Sequence, residues 1–340
     1  MPEYLPQLLK RYRRIKISEG KVFSMVNIRK CAIIGCGFVG SGSAFSLIQS
    51  GLFSELVLLD ANRDKAEGEA MDLSHGLPFA RPMEIYAGGY DDVADCGLII
   101  VTAGANQKPG ETRLDLVNKN VGIFKQIIPE LKKRNCEGIL LIVSNPVDIL
   151  TYAALKLSGF PPERVIGSGT VLDTGRLKYL LGRHLGVDSR SVHAFIVGEH
   201  GDSELPLWSS ANVSGVELYH FCELCGYHDH AQNMKKLYED VRDSAYEIIK
   251  KKGATYYGIA MAVRRIAECI LRDERSILPV SSLIEGHYGL SGVCMGVPTI
   301  VGARGVEKVL DVPLSGEEQL ELLHSAEALK KVLDSLDLQA

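Results

Sequence analysis

The chain has 340 residues, 46% of them hydrophobic and 24% charged, with a formal net charge of −4. That length favours two domains over one core, and the composition is that of an ordinary globular protein. The mild acidity gives no basis for a nucleic-acid or anionic-membrane partner, and no apolar run approaches the ~20 residues that span a bilayer.

Residues 1–25 read as a basic N-terminal extension. Lys10, Arg11, Arg13, Arg14, Lys16 and Lys21 stand there against Glu3 and Glu19, and no apolar stretch has the length of a secretory signal. A targeting arm, an oligomer-clasping arm and a non-native addition ahead of Met25 are equal readings, so the segment is set apart from the fold.

From Ile28 onward short apolar runs alternate with amphipathic segments, which predicts βαβ units and a parallel sheet. The first run, Lys30 to Ile34, feeds into Gly35-Cys36-Gly37-Phe38-Val39-Gly40 and a helix predicted from Val39 to Gln49, stopped by Gly51. In that turn Gly35 permits the tight bend, Gly37 lets the backbone approach a pyrophosphate, and Gly40 lets helix pack on strand. The helix N-terminus, with Phe38 and Val39 in its first turn, offers free N–H groups to the phosphates. A second strand, Glu55 to Leu59, delivers Asp60 twenty positions after Gly40, where a ribose hydroxyl needs an acceptor and a 2′-phosphate would be repelled. The pattern predicts an NAD site.

Next come a helix over Arg63 to Leu73 and a central strand over Leu98 to Thr102. The latter opens into the Gly/Pro loop Ala103 to Arg113, placed beyond the carboxyl end of a strand where open α/β sheets bind ligands. A long helix over Thr112 to Leu131 and a strand over Ile139 to Val143 lead to Ser144-Asn145-Pro146. There an Asn-Pro turn either aims the amide at the crevice or is a plain strand-to-helix turn.

Beyond Gly167 the character changes. A helix over Leu172 to Leu185 carries Asp173 and Arg176 on one face, at the spacing of a surface ion pair as well as of a site. A strand over Val192 to Val197 runs into Gly198-Glu199-His200-Gly201-Asp202, whose glycines hold one histidine in an exposed loop suited to meeting a ligand. Helices over Asn233 to Lys252 and onward to Arg272, strands around Ile277 to Ile284 and Val297 to Ala303, and a helix over Gly316 to Leu336 complete the chain. Eight scattered cysteines fit a reducing, cytoplasmic setting better than a disulfide framework. The cluster His220, Cys222, Cys225, His228 and His230 lacks the ligand spacing of a zinc site, so no metal is expected.

Four motifs then occur in order: G-A-N-Q-K-P-G-E-T-R, S-N-P-V-D-I-L-T-Y, V-I-G-S-G-T-V-L-D-T-G-R and G-E-H-G-D-S-E-L-P-L-W. With these, the chain from about Val26 to its C-terminal helix resembles the lactate/malate dehydrogenase family, and within it the bacterial L-lactate dehydrogenases. The resemblance implies a Rossmann-type doubly wound parallel sheet over residues 26–168, then an α+β substrate and oligomerisation domain over 169–340. It implies NAD as cofactor, a homotetramer, and reversible hydride transfer between L-lactate and pyruvate.

Residue by residue, the resemblance makes His200 the proton donor and acceptor and Asp173 the carboxylate that fixes its tautomer. Arg176 becomes the two-pronged grip on the substrate carboxylate, and Arg113 the loop arginine that polarises the carbonyl as a lid closes. Asn145 is implied beside substrate and nicotinamide ribose, and Thr255 in the pocket wall. Gln107 stands where malate dehydrogenases carry an arginine, and a neutral amide leaves a second substrate carboxylate unpaired, which favours pyruvate over oxaloacetate. His193 matches a histidine of the fructose 1,6-bisphosphate site of many bacterial relatives, but Lys178 stands where that site has an arginine and supplies charge without the fork. A malate dehydrogenase, or another L-2-hydroxy acid dehydrogenase, is the alternative. A non-enzymatic dinucleotide-binding protein is compatible with the fold, but need not keep Arg113, Asp173, Arg176 and His200 together.

Overall fold

The structure is a computed structural model that describes residues 26–105, 110 and 112–338. Its centre is an eight-stranded sheet built from β1 (Asn27–Ile34), β2 (Glu55–Leu59), β3 (Glu84–Ala87), β4 (Cys96–Val101), β5 (Ile139–Ile142), β6 (Val165–Gly167), β7 (Ser281–His287) and β8 (Leu290–Gly296). The spatial order is β8–β7–β6–β5–β4–β1–β2–β3. Strands β1 to β6 pair in parallel, in the order 3-2-1-4-5-6 of nucleotide-binding sheets. The hairpin β7–β8 extends the same sheet antiparallel, through the pairing of Ser281 with Gly167.

The helices are α1 (Phe38–Ser50), α2 (Arg63–His75), α3 (Arg113–Lys133), α4 (Val147–Ser158), α5 (Val171–Leu185), α6 (His230–Lys252), α7 (Tyr257–Arg272) and α8 (Gly316–Leu333), with a short one at Leu218–Leu224. They cover both faces of the sheet, which is why its strands read as unbroken apolar runs. Alternation survives inside those runs. Ala32 and Ile34 of β1 face a core with α3, α4 and α8, while Cys31 and Ile33 face another with α1, α2 and α7. A third core, around Leu177, Leu181, Ile196 and Val241, joins α5 to α6.

The expected elements recur with boundaries shifted by a few residues, apart from the C-terminal strands and one clear break. Val192 to Val197 is not one strand but two, Val192–His193 and Ile196–Val197. Threonines of α5 take the backbone groups a neighbouring strand would have used: Thr174 Oγ1 accepts the Ile196 N–H at 2.9 Å, and Thr170 Oγ1 donates to the Ile196 carbonyl at 2.6 Å. All eight cysteines are unpaired, and Cys225 alone of them is exposed. Among the described residues no helix is long and apolar enough to cross a membrane.

Candidate active site

The carboxyl ends of β1, β4 and β5 converge on one edge of the sheet. Gly35 has φ +106°, and a Cβ there would lie 2.5 Å from the Ala103 nitrogen, so the turn after β1 can close against β4 only with glycine. Thr102 Oγ1 donates to the Gly35 carbonyl at 2.6 Å and locks the two turns together. Gly40 is held as tightly: its Cβ would fall 1.9 Å from the Gly35 oxygen.

Gly37 is the opposite case. A Cβ there would meet nothing within 4 Å. It is the N-cap of α1 with no side-chain cap, and the first turn holds no acidic residue. The helix thus presents uncapped N–H groups and its positive end to open space, which fits a diphosphate. Asp60 braces the same turn, accepting the Cys36 N–H at 2.7 Å through Oδ2 and the Asn62 N–H at 2.9 Å through Oδ1. A carboxylate has about four lone-pair sites, so two remain for ribose hydroxyls. The residues present fit a dinucleotide.

Asn145 follows β5 and is exposed at the crevice, joined to Pro146 by a cis peptide bond. Its position is set by Asn120 on α3, which is buried and donates to the Asn145 carbonyl at 2.7 Å. The Asn120 Oδ1 also accepts the Ala105 N–H at 2.7 Å, so one amide ties the start of the Gly/Pro loop to the Asn145 turn. Gln107 and the Arg113 side chain lie outside the described residues. The backbone of Arg113 opens α3 behind a Thr112–Asp115 capping box.

The second half brings His200, Asp173 and Arg176 together. The loop carrying His200 is pinned on three sides. Gly198 and Gly296 of β8 exchange N–H···O bonds at 2.8 and 2.9 Å, the Glu199 N–H reaches Ser325 Oγ on α8 at 2.8 Å, and the His200 N–H reaches Asp148 Oδ2 on α4 at 2.7 Å. The imidazole meets α5: His200 Nδ1 lies 2.6 Å from Asp173 Oδ2. An ionised carboxylate only accepts, so Nδ1 carries the hydrogen and Nε2 is left for chemistry. Asp173 is buried, and Arg176 NH1 donates to its other oxygen at 2.7 Å.

The electrostatics follow. Burial opposes the charge on Asp173, but the His200 and Arg176 charges and their hydrogen bonds outweigh it and hold the carboxyl below its ordinary range. Burial likewise opposes the charge on His200, yet Asp173, with smaller help from Glu204 and Asp148, pushes the imidazole up to about 9. The site therefore holds a charged imidazole at neutral pH.

Thr255 sits half-buried between the Gly253 cap of α6 and the start of α7. The neighbouring Tyr256 ring stacks on Phe38 at 5.3 Å, which sets that joint against the first turn of α1. Lys178 is half-buried on α5, where burial and then the Arg265 charge lower its proton affinity. His193 is exposed in its short strand. Asp148, Asn120 and Glu204 were not singled out in the sequence. Asp148 and Glu204 had nearby signals, the first three residues past Asn145 in the first turn of a helix and the second four residues past His200 in the same motif.

Comparisons with known proteins agree with this architecture. Residues 29–167 match the family model described as lactate/malate dehydrogenase, NAD binding domain, and residues 170–337 match its alpha/beta C-terminal domain. The chain belongs to the lactate/malate dehydrogenase family, and its first half is that family's NAD-binding domain. It is 56% identical over 311 residues to an L-lactate dehydrogenase of Acetivibrio thermocellus, covering 92% of this chain and 98% of that one. It is 55% identical to L-lactate dehydrogenase 1 of Clostridium acetobutylicum, over 90% and 98% of the two chains. Among solved structures, the ligand-bound minor L-lactate dehydrogenase of Enterococcus mundtii superposes with a TM-score of 0.89 at 43% identity, covering 92% of this chain and 99% of that one.

Proposed function

We propose that this protein is an NAD-dependent L-lactate dehydrogenase, interconverting L-lactate and pyruvate with His200 as proton donor and acceptor. The observation that carries the reading is the His200–Asp173–Arg176 cluster, set in the chain of a family whose relatives at more than half identity bear that name.

Bound NAD supplies or takes the hydride. The chain's own residues do the rest. In the reducing direction His200 gives the proton on Nε2 to the ketone oxygen, and in the oxidising direction it takes that proton back. Asp173 holds the tautomer through Nδ1 and stabilises the imidazolium. Arg176 keeps one arm on Asp173 and turns the rest of its fork to the substrate carboxylate, which fixes the ketone over the proton donor. Arg113, from the first turn of α3, polarises the carbonyl. Asn145 orients the substrate at the nicotinamide ribose, Thr255 lines the substrate side, and Gln107 leaves a second carboxylate unpaired. Gly35, Gly37, Phe38, Val39, Gly40 and Asp60 hold the diphosphate and ribose. The assembly is a homotetramer, with fructose 1,6-bisphosphate held between subunits by Lys178 and His193.

The deciding experiment is NADH oxidation by the purified protein with pyruvate and oxaloacetate in parallel, compared as kcat/KM with and without the bisphosphate. A large preference for pyruvate is expected. A preference for oxaloacetate transfers the reading to malate, and no turnover with either overturns it.

A further inference from the structure

Beside the His200–Asp173 pair lies a second acidic side chain that the reaction above does not use. Glu204, at the end of the histidine loop, is only 5% exposed, and its Oε1 has no hydrogen-bond partner. One carboxyl oxygen of Glu204, one of Asp173 and one ring nitrogen of His200 all lie within 4.8 Å of one another. Its backbone is fixed, since the Tyr238 hydroxyl donates to the Glu204 carbonyl and the Glu204 N–H reaches Gly201 O at 3.3 Å. A buried carboxyl oxygen without a partner is costly.

We propose that Glu204 is a positioning residue of the reaction, a second buried carboxyl whose charge adds to that of Asp173 and keeps the imidazole charged toward alkaline pH. The proposal rests on His200 being the proton carrier.

The groups around Glu204 decide its behaviour. From α5 come the Asp173 carboxylate and the Arg176 guanidinium, from its own loop His200, and from α6 Arg242. A cavity of about 380 Å³ adds Asp202, Tyr238, Glu321 and His324 to its surroundings. Burial first, and Asp173 second, push the Glu204 carboxyl up to about 8, against the three cationic neighbours. Below that pH Glu204 is neutral and leaves His200 to Asp173. Above it, Glu204 loses its proton to solvent, and the new negative charge holds the imidazolium that would otherwise titrate. Removing the carboxyl therefore lowers the pH at which His200 gives up its proton, and leaves the acid side alone.

The test uses the full-length protein with Glu204→Gln and Glu204→Leu, both checked for wild-type melting. Diethylpyrocarbonate attacks only neutral imidazole, so the rate of His200 modification, read on its peptide by mass spectrometry, reports the protonation of that ring independently of turnover. In both variants the modification curve should move down by about one pH unit, and the ratio of pyruvate-reducing kcat/KM at about pH 9 to that at about pH 6.5 should fall about fivefold. Superimposed modification curves overturn the proposal, and so does a shift confined to Glu204→Leu, which would mean a hydrogen bond rather than a charge. A shifted curve with an unchanged kcat/KM ratio also overturns it. His200→Ala serves as the separate control: undiminished pyruvate reduction by that variant refutes the assignment of His200, whereas the Glu204 curves test only the coupling.

Discussion

Asp148 and His200 are joined through the main chain: the fully buried Asp148 carboxyl accepts the His200 N–H at 2.7 Å, so a residue at the start of α4 sets the height of the histidine loop. The arrangement is not free of cost, because the other oxygen of Asp148 has no partner. Burial pushes the carboxyl up to about 6, against the nearby Ser281 hydroxyl, the His200 N–H and the His200 charge.

A folded-state value above the ordinary carboxylate range means that stability is fullest at low pH and is lost as pH rises through about 6. Asp148→Asn keeps an acceptor for the His200 N–H and carries no charge. It should be more stable than wild type by about 1 kcal/mol near pH 8, with the difference gone near pH 4. Melting temperatures across that range check this. A variant less stable than wild type at alkaline pH would mean that the ionised carboxylate is itself held favourably.

Gly37 and Gly40 stand three residues apart and should fail differently. Gly40→Ala forces a Cβ onto the Gly35 carbonyl and should cost several kcal/mol of stability, in the range of severe core overpacking. Gly37→Ala meets nothing in the protein and should melt as wild type, yet weaken NADH binding by about tenfold or more, because the methyl occupies the space in front of the helix N-terminus. Calorimetric melting beside NADH titration separates the two. Unimpaired NADH binding by Gly37→Ala would move the diphosphate elsewhere.

Arg176 offers a fork that lysine lacks. Arg176→Lys should raise the pyruvate KM by about 10- to 100-fold, with a smaller fall in kcat, because it removes a bidentate grip made in ground and transition states alike. Steady-state kinetics with pyruvate check the split. A loss in kcat alone would place Arg176 at the reacting carbonyl instead.

Strands β1, β2, β4 and β5 were legible because their signals are local: unbroken buried runs, a glycine turn and a strand-ending acid, whereas the short strands β3 and β6 carry no such run. The strands Leu290–Gly296 and Gly305–Val309 were not legible, since Gly292 interrupts the first, Gly305 opens the second, and each pairs with the preceding strand across a tight turn. Distance in the chain hid the roles of Asn120, Asp148 and Glu204, although the last two stand inside the S-N-P-V-D-I-L-T-Y and G-E-H-G-D-S-E-L-P-L-W motifs. Only folding brings each against Ala105 and Asn145, the His200 N–H, or the Asp173–His200 pair. His200 was found from its own flanking glycines, whereas Asp173 and Arg176 looked equally like a surface pair until the motif set around them was complete.

The hairpin β7–β8 has a consequence for how the chain holds together. It continues the nucleotide-binding sheet past β6, and Val293, Met295, Leu322 and Ala326 share a core with Ile99, Leu140 and Ala153 of the first half. A fragment cut after Ser168 would carry β6 as a bare edge and an apolar flank stripped of α8, which invites aggregation rather than independent folding. Two functional halves are thus expected to melt as one body, and a dinucleotide bound at the glycine turn should protect the distant C-terminal helix from proteolysis along with its own strands.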